Sequence, residues 1–202
     1  IATVTIEVIP DPIRAIAPPL DSTIPTSLSD ATSFLYTGAN PIQTGVTTDT
    51  INPIRAAVLR GRVLARDNTP LSGVKITLLN HPELGQTLSR LDGMFDMVVN
   101  GGGMLVVNYE KTGYLPIQRQ ITTPWQDYTH LPNVVMIQLD AQVTPIDLNS
   151  AKPIQVARGS TVNDNDGTRR ATLLFSQGTA ASVGDKELSG LNANLNIRAT
   201  EY

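Results

Sequence analysis

The chain has 202 residues, 15 Lys and Arg against 18 Asp and Glu, and a formal net charge of −3. That balance excludes the clustered basic surface of a nucleic-acid binder, and the lack of cysteine excludes disulfides and thiolate metal sites. No stretch approaches the ~20 apolar residues of a membrane helix, so membrane insertion is not expected.

Residues 1–9 alternate, with Ala2, Val4, Ile6 and Val8 on one face and Thr3, Thr5 and Glu7 on the other. A period of two is the signature of a strand. Residues 10–30 then carry Pro10, Pro12, Pro18, Pro19 and Pro25 among Asp, Ser and Thr. Such a segment reads as an extended linker with a reach of up to about 60 Å, longer than a folded body about 40 Å across. Residues 31–57 predict a short strand at Phe34-Leu35-Tyr36 and a turn at Gly38-Ala39-Asn40-Pro41.

From residue 56 to residue 139 the strand pattern is dense. Val58 to Ala65 and Val74 to Leu79 form two strands joined by Asp67-Asn68-Thr69-Pro70. Gln86 to Arg90 and Met94 to Val99 predict a hairpin around Asp92-Gly93, a dipeptide suited to the positive φ angles of tight turns. Gly101-Gly102-Gly103 makes the next hairpin turn. Met104 to Tyr109, Leu115 to Thr122 and Val134 to Leu139 complete seven short strands, an all-β antiparallel sandwich. Residues 151–202 read as a second, smaller β unit. It turns at Gly167, ends in a strand from Leu195 to Ala199, and is marginal for an independent core. The expected organisation is thus 1–9 strand, 10–30 Pro-rich arm, 31–150 sandwich and 151–202 small β unit.

Candidate chemistry is sparse. Asn163-Asp164-Asn165-Asp166-Gly167 invites a calcium-loop reading, but Val162 and Leu173 fall where an EF-hand needs Asp and Glu, so a polar turn is the better account. His81 and His130 are the only histidines, and neither has the spaced partners of a metal site. No Lys-Ser/Thr follows Gly101-Gly102-Gly103, which excludes a phosphate cradle. No serine sits in a nucleophile elbow. An enzyme is not expected, nor a metal or cofactor. Trp125, with Tyr128 nearby, falls in an expected polar loop after Pro124 and is either an edge anchor packed on the sandwich or an interface contact, where such residues concentrate.

The turn residues carry a more specific signal. Gly61, Val63, Pro70, Leu71, Gly73, Val74, Thr87, Ser89, Asp92, Gly93, Phe95, Gly113 and Tyr114 follow in order the pattern of carboxypeptidase-regulatory-like, or transthyretin-like, domains. The stretch Leu79 to Asp96, Leu115-Pro116, Pro124-Trp125 and Asp166 to Phe175 resemble most the versions in teneurins and bacterial Rhs/YD-repeat proteins. The resemblance spans roughly residues 34–202. It implies a structural plug in a large extracellular or surface shell protein, although this chain holds no YD repeats. The domain is named after a peptidase but carries neither zinc ligands nor a catalytic glutamate.

The sparse chemistry together with this resemblance implies an extracellular or cell-surface, non-enzymatic β protein as the expectation. Two readings of the first strand stay open: pairing within its own sheet, or donation to a neighbouring subunit. Donation would use main-chain hydrogen bonds and pockets for Ala2, Val4, Ile6 and Val8. Head-to-tail donation does not close on itself, so it would build a homo-oligomeric filament or fibril. The alternatives are an internal scaffold piece of an Rhs- or teneurin-like shell, or an adhesion module that binds a glycan or protein through Trp125.

Overall fold

A computed structural model describes residue 13, residues 16–188 and residues 193–201. The strand expected over residues 1–9, with Ala2, Val4, Ile6 and Val8, lies outside the described residues. The chain divides into two units: residues 1–111 with 116–135, and residues 112–115 with 136–202.

The first unit is a sandwich of two four-stranded sheets among the described residues. The first sheet is built on β1 (Ala56–Ala65), which pairs antiparallel with β4 (Met94–Asn100) and parallel with β7 (Tyr128–His130). The short β8 (Val134–Met136) also pairs with β1. The second sheet has the order β3–β2–β5–β6, from Thr87–Leu88, Lys75–Leu78, Gly103–Glu110 and Ile117–Thr123. All of its pairings are antiparallel. Ile76, Val107 and Tyr109 of one sheet and Val63 and Phe95 of the other are fully buried. Phe95 meets Tyr109 edge-to-face, with ring centroids 5.8 Å apart, the geometry the aromatic quadrupole favours. Gly61 makes room for that ring, since a Cβ there would lie 2.7 Å from two Phe95 ring atoms.

The first sheet is buried on both faces, and this explains the apolar run Ala56-Ala57-Val58-Leu59 and the five consecutive buried residues Phe95 to Val99. Its outer face is covered by the segment before β1. There α1 (Leu28–Thr32) packs on β1, and a 3₁₀ turn (Ser33–Leu35) packs on β4. Ser27 caps α1: its Oγ accepts from the Asp30 N–H at 3.1 Å and donates to the Asp30 carboxylate at 2.7 Å, the capping economy of a short helix. The strand expected at Phe34-Leu35-Tyr36 is therefore corrected to this 3₁₀ turn. Leu35 is buried there, but one apolar anchor does not make a strand.

Two expected hairpins are also corrected. Strands β3 and β4 belong to different sheets, and so do β4 and β5. Around Asp92-Gly93 the hairpin is reduced to a tight bend, with Gly93 N–H donating to Arg90 O at 2.9 Å and Arg90 N–H to Met94 O at 2.8 Å. The chain then diverges because Thr87 and Ser89 are buried against β2. Tyr128, expected in a loop, lies in β7, whose three polar or aromatic residues give too short a pattern to read as a strand.

In the second unit the strands form two-stranded pairs. β9 (Thr144–Asp147) pairs with β16 (Asn194–Ile197), and β10 (Ile154–Arg158) with β13 (Thr172–Ser176). Two small hairpins join β11 (Val162–Asp164) to β12 (Gly167–Arg169) and β14 (Ser182–Val183) to β15 (Lys186–Glu187). Its buried apolar residues include Ile146, Ala157, Ala193 and Ala199, while Ile154, Val156, Leu173 and Leu174 are exposed.

Candidate interaction surfaces

Turn chemistry positions the surface groups. Gly73, Gly93, Gly102, Gly113 and Gly167 all hold positive φ angles. At Gly93 the requirement is double: φ is +78°, and a side chain there would overlap the Val63 carbonyl oxygen. Asp92 braces the same bend. Its carboxylate accepts from Met94 N–H at 2.9 Å, and its carbonyl accepts from Arg62 Nε at 3.0 Å.

At the other end of β4, Gly102 turns at φ +88° beneath Trp125, where any Cβ would overlap the indole nitrogen. The Trp125 indole N–H donates to Gly101 O at 3.0 Å, yet the residue is 56% exposed. Both readings of Trp125 therefore have a counterpart: the polar edge is tied down and much of the ring is open. Nearby in sequence, Tyr128 is stacked on His130 with centroids 6.4 Å apart, and the Arg60 guanidinium sits 5.5 Å from the Tyr128 ring centroid. Sequence reasoning missed this group, because Arg60 lies on β1 and reaches Tyr128 only through the parallel β1–β7 pairing.

Arg60 has a second role. Its Nε bonds the buried Asp96 carboxylate at 2.6 Å, and Arg90 Nη1 bonds the other Asp96 oxygen at 2.8 Å. Both oxygens of this buried carboxylate are thus engaged by guanidiniums, which makes the group a structural cluster. His81 pairs with Glu83 at 2.9 Å, which holds the Glu83 carboxyl below its ordinary value. His81 also lines an open groove of about 520 Å³ with Thr44, Thr77, Asn80, Gln86 and Asn108. Among the described residues, no three His, Asp or Glu side chains converge as metal ligands. In the Asn163 to Gly167 loop, Asp164 is engaged by Arg169 through two bonds of 2.6 and 2.8 Å.

Two sheets closed over an aromatic and aliphatic core, with glycines at the bends between them, define a transthyretin-like β-sandwich. Residues 51–136 match the teneurin TTR-like domain. Mouse teneurin-4 is 34% identical over 124 residues, covering 61% of this chain and 4% of teneurin-4. Teneurin-m of Drosophila melanogaster is 32% identical over 127 residues, covering 63% of this chain and 5% of that protein. The chain thus spans about one twentieth of the relatives it matches. A solved type II cohesin–X-dockerin complex from Acetivibrio cellulolyticus is similar at 15% identity and a TM-score of 0.36, over 42% of this chain and 59% of that one.

Proposed function

We propose that the chain is a non-catalytic structural module of an extracellular or cell-surface protein, joined to its neighbours by sheet extension and burial of apolar strand faces. The observation that carries this reading is the sandwich itself. Its interior is filled by side chains, and its match is to a teneurin domain. Sheet extension is assigned to residues 1–9, whose alternating Ala2, Val4, Ile6 and Val8 suit the inner face of a sheet. Given to a second copy, such a strand propagates head to tail into a filament.

A second reading has its own support. The β10–β13 ribbon exposes Ile154, Val156, Leu173 and Leu174, with Leu174 66% open. Ile154, Val156 and Leu174 share one face of the ribbon, with Val156 and Leu174 paired across it, and uncovered apolar area of this kind supports a surface for a partner. In a chain matching one twentieth of a teneurin, that partner would be the rest of a shell-like protein. Trp125 remains the candidate contact of an adhesive role.

Light scattering on the intact chain and on a chain lacking residues 1–9 tests the first reading. Concentration-dependent oligomers are expected only from the intact chain. Monomers in both samples, with strong binding of an apolar dye at the ribbon, would replace it with the second.

A further inference from the structure

Three of the sandwich's sheet edges differ in how they are closed. At the β4 edge, the fully buried Gln43 side chain stands in for a strand: its Nε2 donates to Val98 O at 2.9 Å and its Oε1 accepts from Val98 N–H at 2.7 Å. At the β3 edge, Thr44 and Gln86 exchange two backbone bonds of 2.8 Å. The β6 edge has neither device. β6 pairs only with β5 among the described residues. It runs for seven residues without proline and carries a single charge, Arg119.

The register shows which groups are open. Leu79 N–H donates to Val106 O at 2.9 Å, so even-numbered residues of β5 turn their main chain toward β2 and odd-numbered ones toward β6. Since Leu105 faces Ile121 and Val107 faces Arg119, the main-chain groups of Gln118, Gln120 and Thr122 point away from the sheet. The Arg119 guanidinium reaches Gln118 O at 3.0 Å, and Gln118, Gln120 and Thr122 are all exposed among the described residues. On the inner face Ile117 and Ile121 are only half-buried. Beside them lies a cavity of about 130 Å³, lined by Tyr109, Arg119, Ile121, Leu131 and Pro132. The buried Tyr109 hydroxyl, which lacks a hydrogen-bond partner among the described residues, belongs to the same site. A cavity of roughly 150 Å³ admits a benzene-sized group, so this one suits a single aliphatic side chain.

The geometry points to β6 as the acceptor edge for residues 2–8 of a second copy of this chain. This rests on the strand-addition reading above and adds to it the surface that receives the strand. Both segments are seven residues long. Aligned end to end in either direction, Thr5 falls opposite Gln120, and Ala2, Val4, Ile6 and Val8 fall on the inner face with Ile117, Arg119, Ile121 and the cavity, where the Arg119 stem offers apolar surface and its head stays exposed. Thr3, Thr5 and Glu7 then share the outer face with Gln118, Gln120 and Thr122. An open edge of this length would otherwise be an aggregation hazard.

The chain has no cysteine, so engineered disulfides report pairing without background. The Thr5→Cys/Gln120→Cys chain should form disulfide-linked dimers and higher ladders under mild oxidation. A Thr5→Cys/Leu88→Cys chain, aimed at the β3 edge, should not. Gln120→Pro removes an outward N–H, which an edge strand tolerates, and should abolish assembly while keeping the thermal unfolding transition. Assembly that survives Gln120→Pro, an intramolecular crosslink, or a ladder only with Leu88→Cys would overturn the β6 assignment. If the chain without residues 1–9 assembles as well as the intact one, strand donation itself fails.

Discussion

Ser89 shows how one hydroxyl joins two strands. It is buried, donates through Oγ to Leu71 O at 2.7 Å, and accepts from Val74 N–H at 2.9 Å. The Ser in the domain pattern is therefore a bridge between the β1–β2 connection and the segment leaving β3. Ser89→Ala leaves a buried N–H and a buried carbonyl with lost partners, and should cost about 1–3 kcal/mol, read as a lowered midpoint in urea unfolding. In the second unit, Asp140 gathers the Ser160 hydroxyl at 2.6 Å and the N–H groups of Ser160 and Gln142. The Ser160 hydroxyl bond, then the two backbone bonds, hold its carboxyl below the ordinary 3.8. A depressed folded value means that this clamp is fully present above the ordinary value and is lost as pH falls through the folded one. Protection of the Ser160 amide, measured against its intrinsic exchange rate, should be lost as pH falls through that depressed value, and Asp140→Asn should remove that pH dependence.

At the scale of elements, Gln43 does the work of a missing strand. Its amide also donates to Leu84 O at 2.8 Å, so one buried side chain satisfies three main-chain groups. Gln43→Leu keeps the volume but strands those groups, and should cost about 3 kcal/mol or more at roughly 1–3 kcal/mol per unpaired buried group. Differential scanning calorimetry reads that as a lower melting temperature. The longer strands of the sandwich were legible in the sequence, because alternation and glycine-marked turns act locally. Sheet membership was not. Asp92-Gly93 and Gly101-Gly102-Gly103 promise positive φ, but a positive φ serves a bend between sheets as well as a hairpin. The choice was made by the burial of Thr87 and Ser89 against β2, a long-range fact. Gln43 was invisible for the same reason: its partner Val98 lies 55 residues away. The Arg60–Tyr128–His130 group needed the parallel β1–β7 pairing, which a three-residue strand does not announce.

At the scale of the whole molecule, the transthyretin-like domain was readable from the order of its turn residues, and the teneurin match over residues 51–136 agrees with it. The first unit is a filled sandwich that closes two of its edges by its own side chain and loop and, among the described residues, leaves β6 uncovered. The second unit is built of two-stranded ribbons whose apolar side chains are widely exposed. A module with those two features gains most by being joined to other strands, which is the mechanical role assigned to it. The most direct measurement is negative-stain electron microscopy of the intact chain beside a chain lacking residues 1–9. The account predicts filaments from the intact chain and single small particles from the shortened one. Small, uniform particles from both would contradict it.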